Sequence, residues 1–468
     1  MFPIVLLSVF AVVLLFLGFL KSRSVLLPAT LLFLVAALVA NFLDWNKTYL
    51  YFNSMLRTDN LSMVFTAIVL LSSFLVVALS GSFEDDEAAQ PAEYYAIILF
   101  SLVGAIMMIG YENLVMLFVG VEILSVAMYI LTGSDKRNLR SNEAALKYFL
   151  MGAFATGIML FGMALLYGAS GSFTLAGIAS YASHAQQGLS LIFYVGLLML
   201  LVGLLFKVSA APFHFWTPDV YDGAPTIFTA YMSTVVKTAG FAALLHLLAA
   251  SFTYVYSFWG IILAVVTAIT LIAGNVTAVY QNSFKRMMAY SSISHAGYLL
   301  IGLAALSAQS RQAIVFYSLA YSIATISAFG VLMLVTRQRG MQTLSSNPLS
   351  NESFDAFNGL AKQNPLLGLA MATSMLSLAG IPLTAGFWGK FYMFSTAVER
   401  GQIWLLVVAV LMSAVGIYYY FRVIIAMYFR DGATEPIRIS PVFRYVLVAA
   451  IILTIGLGVA PGLLQGLF

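Results

Sequence analysis

Residues 191–226 read LIFYVGLLMLLVGLLFKVSAAPFHFWTPDVYDGAPT. An apolar stretch long enough to cross hydrocarbon ends on a lysine, Lys207, and five residues later meets Pro212. A charge placed mid-helix in a bilayer costs about 2.5–3.5 kcal/mol on insertion scales, so it is expected to face protein or a water-filled path. Proline has no amide proton to give, here to the carbonyl of Val208, and its ring clashes with that carbonyl. The stretch predicts a membrane helix interrupted beside a buried charge.

The chain around it is built alike: 62% of residues are hydrophobic and 9% charged. Apolar runs long enough to span about 30 Å of hydrocarbon recur from end to end. They fall at 3–20, 25–43, 59–80, 95–110, 112–133, 144–168, 189–211, 225–250, 254–274, 287–306, 311–336, 366–397, 402–429 and 442–464. The expected fold is an all-α integral membrane protein of about 14 transmembrane helices. Only Gly110 and Tyr111 divide the fourth run from the fifth. The first run has no basic residue before its apolar core and no small-residue cleavage site, so it reads as a span rather than a cleavable signal.

Of 22 Lys and Arg, four fall inside the runs: Lys207, Lys237, Lys390 and Arg422. The rest divide by loop parity, with only Lys47, Arg57, Arg311 and Arg400 on one side and 14 residues on the other. The rich side is cytoplasmic by the positive-inside rule, which places both termini outside. The acidic loop 81–94, with Glu84, Asp85, Asp86, Glu87 and Glu93, then lies inside; acidic residues weigh little in that rule. In a bacterium this is a multi-pass protein of the plasma (inner) membrane.

Short loops leave no room for a soluble catalytic domain. The longest connection, 337–365, reads as a polar inner tether, and 169–188 as an outer loop. Without cysteine the chain is not expected to hold an iron–sulfur cluster. No glycine-rich phosphate loop opens a strand–helix unit, which argues against nucleotide. The four histidines are too scattered for a metal site or haem. The chain is expected to carry no cofactor and to bind no nucleic acid.

A second run is interrupted at Pro382, eight residues before Lys390, with Gly380, Gly386 and Gly389 around it. Proline kinks are common in membrane helices, but here a buried lysine stands beside both. Broken helices in corresponding positions of inverted repeats point to a transport path. These two lie five runs apart, an odd number, so the second copy is inverted. The expected layout is N-terminal helices in 1–93, one five-helix repeat in 94–250, its inverted partner in 251–430 and a last helix in 431–468.

Glu122 is the only carboxylate well inside a run. Its natural partner is Lys207, beside the break of another helix; a static structural pair is the competing reading. Lys237 lies mid-run among Ser233, Thr234 and Thr238, whose hydroxyls are expected to hold water near it. His295 follows Ser291, Ser292 and Ser294. It reads equally as a member of a hydrogen-bonded chain, changing charge near neutral pH, and as a satisfied structural histidine. His246 reads as structural, His214 as a brace for the break, and Arg422 as a side chain snorkelling to the interface. Tyr418, Tyr419 and Tyr420 read as packing or interfacial residues.

The segment from Lys207 to Thr226 resembles the signature of the antiporter-like membrane subunits of respiratory complex I and Mrp-type cation/proton antiporters. SLAGIPLTAGFWGKFY at 377–392 is similar to that family's second broken helix, and KRMMAYSSISH at 285–295 matches it as well. Lysine at 390 is the choice of N-type members, where M-type members typically carry glutamate, and the length is that of a member without the lateral helix of L. The resemblance implies a Glu122–Lys207 pair in one half-channel, Lys237 at the centre, His295 on a hydrophilic axis and Lys390 at the opposite exit. It implies neighbouring K and M subunits and the lateral helix of L. NADH, FMN, iron–sulfur clusters and quinone would sit in partner subunits. Relatives driven by ferredoxin or F420H2, a stand-alone antiporter module and a structural scaffold with a dead channel are the alternatives.

Overall fold

Where no water reaches the backbone, each amide and carbonyl has to be satisfied within its own segment, and a helix is the way one apolar run does this. The computed structural model describes residues 1–20, 23–81, 90–184, 188–342, 352–432 and 436–463. The main helices are α1 (Phe2–Leu17), α2 (Leu26–Asn41), α3 (Asn60–Ala78), α4 (Pro91–Gly110), α5 (Leu114–Thr132), α6 (Leu139–Ser170), α7 (Leu175–His184), α8 (Leu191–Lys207) and α9 (Trp216–Gly223). They continue as α10 (Thr226–Ser251), α11 (Tyr256–Val279), α12 (Phe284–Ala305), α13 (Ser310–Gln342), α14 (Pro365–Ala379), α15 (Ala385–Glu399), α16 (Ile403–Phe429) and α17 (Pro441–Val459).

Every apolar run is matched. Among the described residues ten helices are long and apolar enough to cross a membrane, and α1, α8 and α14 are shorter apolar ones. The remaining run is α12, which carries Ser291, Ser292, Ser294 and His295 and buries all four. Its polarity is turned inward, so lipid never meets it. The division between the fourth and fifth runs is real: α4 stops at Gly110, and Asn113 caps α5 by accepting from the Val115 amide.

The chain forms two compact units, one of Met1–Trp216 with Val235–Val266, the other of Thr217–Thr234 with Thr267–Phe468. In the first, α6 lies along α8 with Gly162 facing Gly196; a Cβ on Gly162 would sit 2.7 Å from the Gly196 carbonyl. Small residues permit that approach, which is how helices pack where lipid and side chain are equally apolar. In the second, Phe316, Ala320 and Ile323 of α13 join Ala385 of α15 and Ala450 and Leu457 of α17 in one buried cluster.

Loop contacts inside each unit agree with the crossing count. Leu56 bridges Tyr111 and Asn113 bridges Thr174, all in loops of one parity. Ser283 bridges Ser353, and Lys362 meets Asp431 at 2.7 Å, all in loops of the other. A single miscounted span between any of these partners would have put them on opposite sides.

Three local expectations change. The outer loop 169–188 contains α7. The residues before α3 form a hairpin, with Tyr49–Tyr51 antiparallel to Leu56–Thr58. The 337–365 tether begins inside α13, and its far end is packed: Phe354 and Phe357 are buried and Phe357 lies 4.9 Å from the Phe284 ring. Its central residues, 343–351, lie outside the described ones.

Candidate functional site

Both helix interruptions begin before their prolines. α8 ends at Lys207, and Ser209 turns left-handed at φ 65°. Its amide donates to Phe206 O, and the Ala210 amide to Leu205 O at 2.9 Å. α14 ends at Ala379, and Gly380 turns left-handed at φ 83°. Its amide donates to Ser377 O, and the Ile381 amide to Leu376 O at 3.0 Å. The two stops share one hydrogen-bond pattern, a six-residue closure around a left-handed residue. Pro212 and Pro382 lie beyond it, where they keep the helix from resuming. Trp216 braces the first break, its Nε1 donating to Phe206 O at 3.1 Å. His214 stacks on Phe215 and hydrogen-bonds the backbone at Pro212, beside the break.

Lys207 is 4% exposed. Its ammonium donates to Ser125 Oγ at 2.7 Å and stands 5.7 Å from the centre of the Tyr148 ring. The Ser125 hydroxyl donates onward to Val121 O at 2.5 Å, which aims its lone pairs at the lysine. The expected direct pair with Glu122 is not formed. Glu122 lies three residues from Ser125 on α5, within the same face, and its Oε1 is enclosed without a hydrogen bond. Ser125 is the next hydroxyl on the Glu122 face, a signal that the helical spacing alone carries.

Lys237 is 2% exposed and sits where α10 changes pitch. Met232–Val236 form a π turn and Lys237 opens the α-helical remainder. Such turns are rare and concentrate at functional sites. Two of the hydroxyls expected to hold water there, Ser233 and Thr234, donate to Ala230 O at 2.9 and 2.7 Å, which leaves their lone pairs to accept. The π turn and the Lys237 position were not separable from sequence, since MSTVV carries no signal for the extra residue.

His295 is 3% exposed and has two tyrosines on its ring. Tyr317 OH lies 2.7 Å from Nδ1 and Tyr420 OH 3.0 Å from Nε2, while Tyr420 OH also meets Ser291 Oγ at 2.5 Å. A neutral imidazole donates from one nitrogen and accepts at the other. A ring held this way can take a proton on one side and release one on the other. Tyr420 and Tyr419 are therefore polar site residues rather than packing, Tyr419 donating to Asn275 Oδ1 at 3.0 Å. Tyr418 alone fits the earlier reading, at 58% exposed. The signal lay in Ser413 and Tyr420, seven residues apart and so on one face of α16.

Lys390, 5% exposed, belongs to the same unit. It donates to Ala379 O at 2.8 Å and Ser413 Oγ at 3.0 Å and lies 4.7 Å from the Tyr298 ring centre. The Ala379 carbonyl is one of the last of α14, the negative end of that helix dipole. Tyr298 in turn packs edge-on against His295, ring centres 5.8 Å apart. A buried polar line thus runs Lys390, Tyr298, His295, Tyr420.

Three further polar side chains are held by named partners. Arg422 reaches the helix end as expected but is tied down there: it donates to Val279 O and Gln281 O and covers the Phe354 ring at 4.3 Å, closing the end of α11. Lys285 is 3% exposed rather than a surface cation, donating to Ala224 O at 2.6 Å. His246 lies 3.5 Å from Glu112, which Arg57 also approaches at 3.5 Å. Burial pushes the Glu112 carboxyl up, but His246 and Arg57 outweigh it and hold the group below its ordinary range.

The model of the family described as NADH:quinone oxidoreductase/Mrp antiporter, TM, matches residues 112–416, a range that holds Glu122, Ser125, Lys207, Lys237, His295, Lys390 and Ser413 and stops just short of Tyr419 and Tyr420. The chain is 43% identical over 415 residues to NADH-quinone oxidoreductase subunit N of Trichlorobacter lovleyi, covering 89% of this chain and 83% of the relative. It is 38% identical over 442 residues to the protein of that name in Flavobacterium psychrophilum, 94% of each. Among solved structures it resembles a chain of respiratory complex I from Thermus thermophilus with bound aureothin. There the TM-score is 0.82 and identity 37%, over 99% of this chain and 98% of that one. A chain of the Mrp complex from Dietzia shares the fold at 20% identity, with TM-score 0.82 over 99% of this chain and 94% of that one.

Proposed function

The chain belongs to the family of NADH:quinone oxidoreductase and Mrp antiporter membrane subunits, and on that premise we propose that it is subunit N of a proton-translocating NADH:quinone oxidoreductase, complex I (the counterpart of mitochondrial NADH dehydrogenase subunit 2). It carries protons through the membrane arm while NADH, FMN, iron–sulfur clusters and quinone work in partner subunits, and holds no cofactor itself. Its neighbours are the K and M subunits and the lateral helix of L. It sits in a bacterial inner membrane with both termini outside.

The observation that carries the reading is the placing of three lysines, each at most 5% exposed. Lys207 closes one broken helix, Lys390 follows the other, and Lys237 stands at a π turn. Lys207 has a carboxylate, Glu122, close by on α5, so a change in that neighbour's charge changes how firmly Lys207 holds its proton. Glu122, one turn from Ser125, biases Lys207; Lys237 relays; His295 and its tyrosines connect to Lys390 at the exit. Coulomb coupling between charges about 7 Å apart at an effective dielectric near 20 is roughly 2–2.5 kcal/mol, enough to move such a site.

The test is proton pumping in complexes assembled with Lys237→Ala and reconstituted in vesicles. We expect pumping to fall about tenfold or more with assembly intact, the scale of a lost proton-transfer group. Lys237→Arg should also impair it, since a guanidinium keeps its proton. Normal pumping by assembled Lys237→Ala would defeat the relay.

A further inference from the structure

At one end of the second unit, a group of charges surrounds the start of α12. Lys285 Nζ donates to Ala224 O and stands 3.5 Å from Glu352 Oε1. Glu352 Oε2 is enclosed and takes no hydrogen bond. The Lys285 side chain is 4% exposed and that of Glu352 16%, so the pair joins a buried ammonium to a carboxylate that still meets solvent. The carboxylate is held in place by its own segment. Ser353 bridges Ser283, Phe354 lies under Arg422, and Asp355 pairs with Arg430 at 3.3 Å.

From Lys285 a polar stripe leads inward along α12. Ser292 is seven residues on and His295 ten, which is about 10 and 15 Å of helix rise on nearly one face. Ser292 faces Tyr221 and Tyr321. The Tyr321 ring lies 4.8 Å from that of His295. Met288 and Ala289, both buried, lie on α12 between Lys285 and Ser292. The stripe ends on the His295 cluster, and so on Lys390.

We propose that Lys285 and Glu352 form a proton entry on the inner side of this unit, supplying His295 along the Ser292 stripe. The proposal rests on the proton-translocating reading. Glu352, whose side chain is 16% exposed, takes a proton from inner water. That neutralises the partner of Lys285, whose ammonium then gives its proton to water in the stripe; Glu352 reprotonates the amine and returns to the carboxylate. Other charges face the pair from each packed element. Arg286 is committed to Asp219 at 3.1 Å and Asp222 at 3.6 Å on α9, and Asp355 to Arg430. Arg422 faces the Phe354 ring, and Arg337 stands exposed near the end of α13. A purely structural role, Lys285 pinning the loop before α10, is the competing account.

The two differ in how pumping depends on inner pH. Vesicles carrying the whole complex, driven by NADH from outside, report only molecules whose inner face meets the medium, so the medium sets inner pH. Glu352→Gln should pump near the unsubstituted rate at about pH 6. By about pH 8, where collecting scarce protons limits the rate, it should fall about fivefold or more below it. Lys285→Met should be impaired throughout, and Glu352→Asp should restore the profile. Assembled Glu352→Gln and Lys285→Met complexes that follow the unsubstituted pH profile would overturn the entry. If Lys237→Ala is defective in the same assay while they do so, only the entry fails; if Lys237→Ala also pumps normally, the translocating reading fails with it.

Discussion

The two broken helices stop in the same way and treat their lysines differently. At the first, the lysine is the last residue before the break, and its ammonium rests on one hydroxyl, Ser125, with a carboxylate one turn away. At the second, the lysine comes after the break and reaches back to the carbonyl that ends the preceding helix, with Ser413 and the Tyr298 ring completing its surroundings. One ammonium is biased by a group that can itself be charged or neutral, the other by fixed dipoles. A site beside a titratable partner can be switched, whereas a site held by carbonyl, hydroxyl and ring has a constant affinity. The first break is thus suited to control and the second to delivery.

The largest test of that contrast removes the carboxylate. Glu122→Gln in the assembled complex should lower pumping about tenfold, and combining it with Lys207→Ala should cost little more, because both act on one coupled step. With Lys390→Ala the same Glu122→Gln change should multiply rather than saturate. Pumping measured across the three single variants and the two doubles decides it; multiplicative losses for Glu122 and Lys207 would end the pairing.

The hydroxyl partners give a smaller effect of the same sign. Ser125 is the hydrogen-bond partner of the Lys207 ammonium, while Ser413 shares Lys390 with Ala379 O. A hydrogen bond to a charged group is worth about 1.5–3 kcal/mol. Ser125→Ala should therefore slow pumping several-fold and Ser413→Ala by less than half that factor. Equal losses would show that the Ala379 carbonyl contributes little to holding Lys390.

How much of this was readable beforehand depends on the kind of signal. Apolar runs are long-range and redundant, so all the spans were legible, including α12, whose serines and histidine lower its hydropathy. The buried lysines and Glu122 were legible because charge in hydrocarbon is costly anywhere. What surrounds them was not. Tyr317 and Tyr420 look like any membrane tyrosine until the fold brings them to His295 from two other helices. Lys285 sits at a helix start, where a cation normally reaches water; only the packed segment 352–357 buries it. Prolines marked the breaks to within five residues, but the stops are set by Ser209 and Gly380, and a left-handed serine leaves no trace in a sequence.

That serine supplies the smallest and sharpest comparison. Gly380 adopts its left-handed backbone without penalty, whereas a side chain there costs about 1–2 kcal/mol. A Cβ at 380 would also press on Lys390 Cδ at 2.8 Å. Gly380→Ala should lower the thermal midpoint of the assembled complex and disturb Lys390. Ser209 bears the backbone penalty already, and its hydroxyl is buried with no hydrogen bond. Ser209→Gly removes both costs, offset by the greater freedom of an unfolded glycine, and should raise stability by about 0.5–1 kcal/mol. Ser209→Ala removes only the hydroxyl and should raise it less. Thermal inactivation of the three variants measures the difference. If Ser209→Gly instead destabilises the complex or abolishes pumping, the Ser209 hydroxyl has a partner in the working complex, and the two breaks differ in more than the way they hold their lysines.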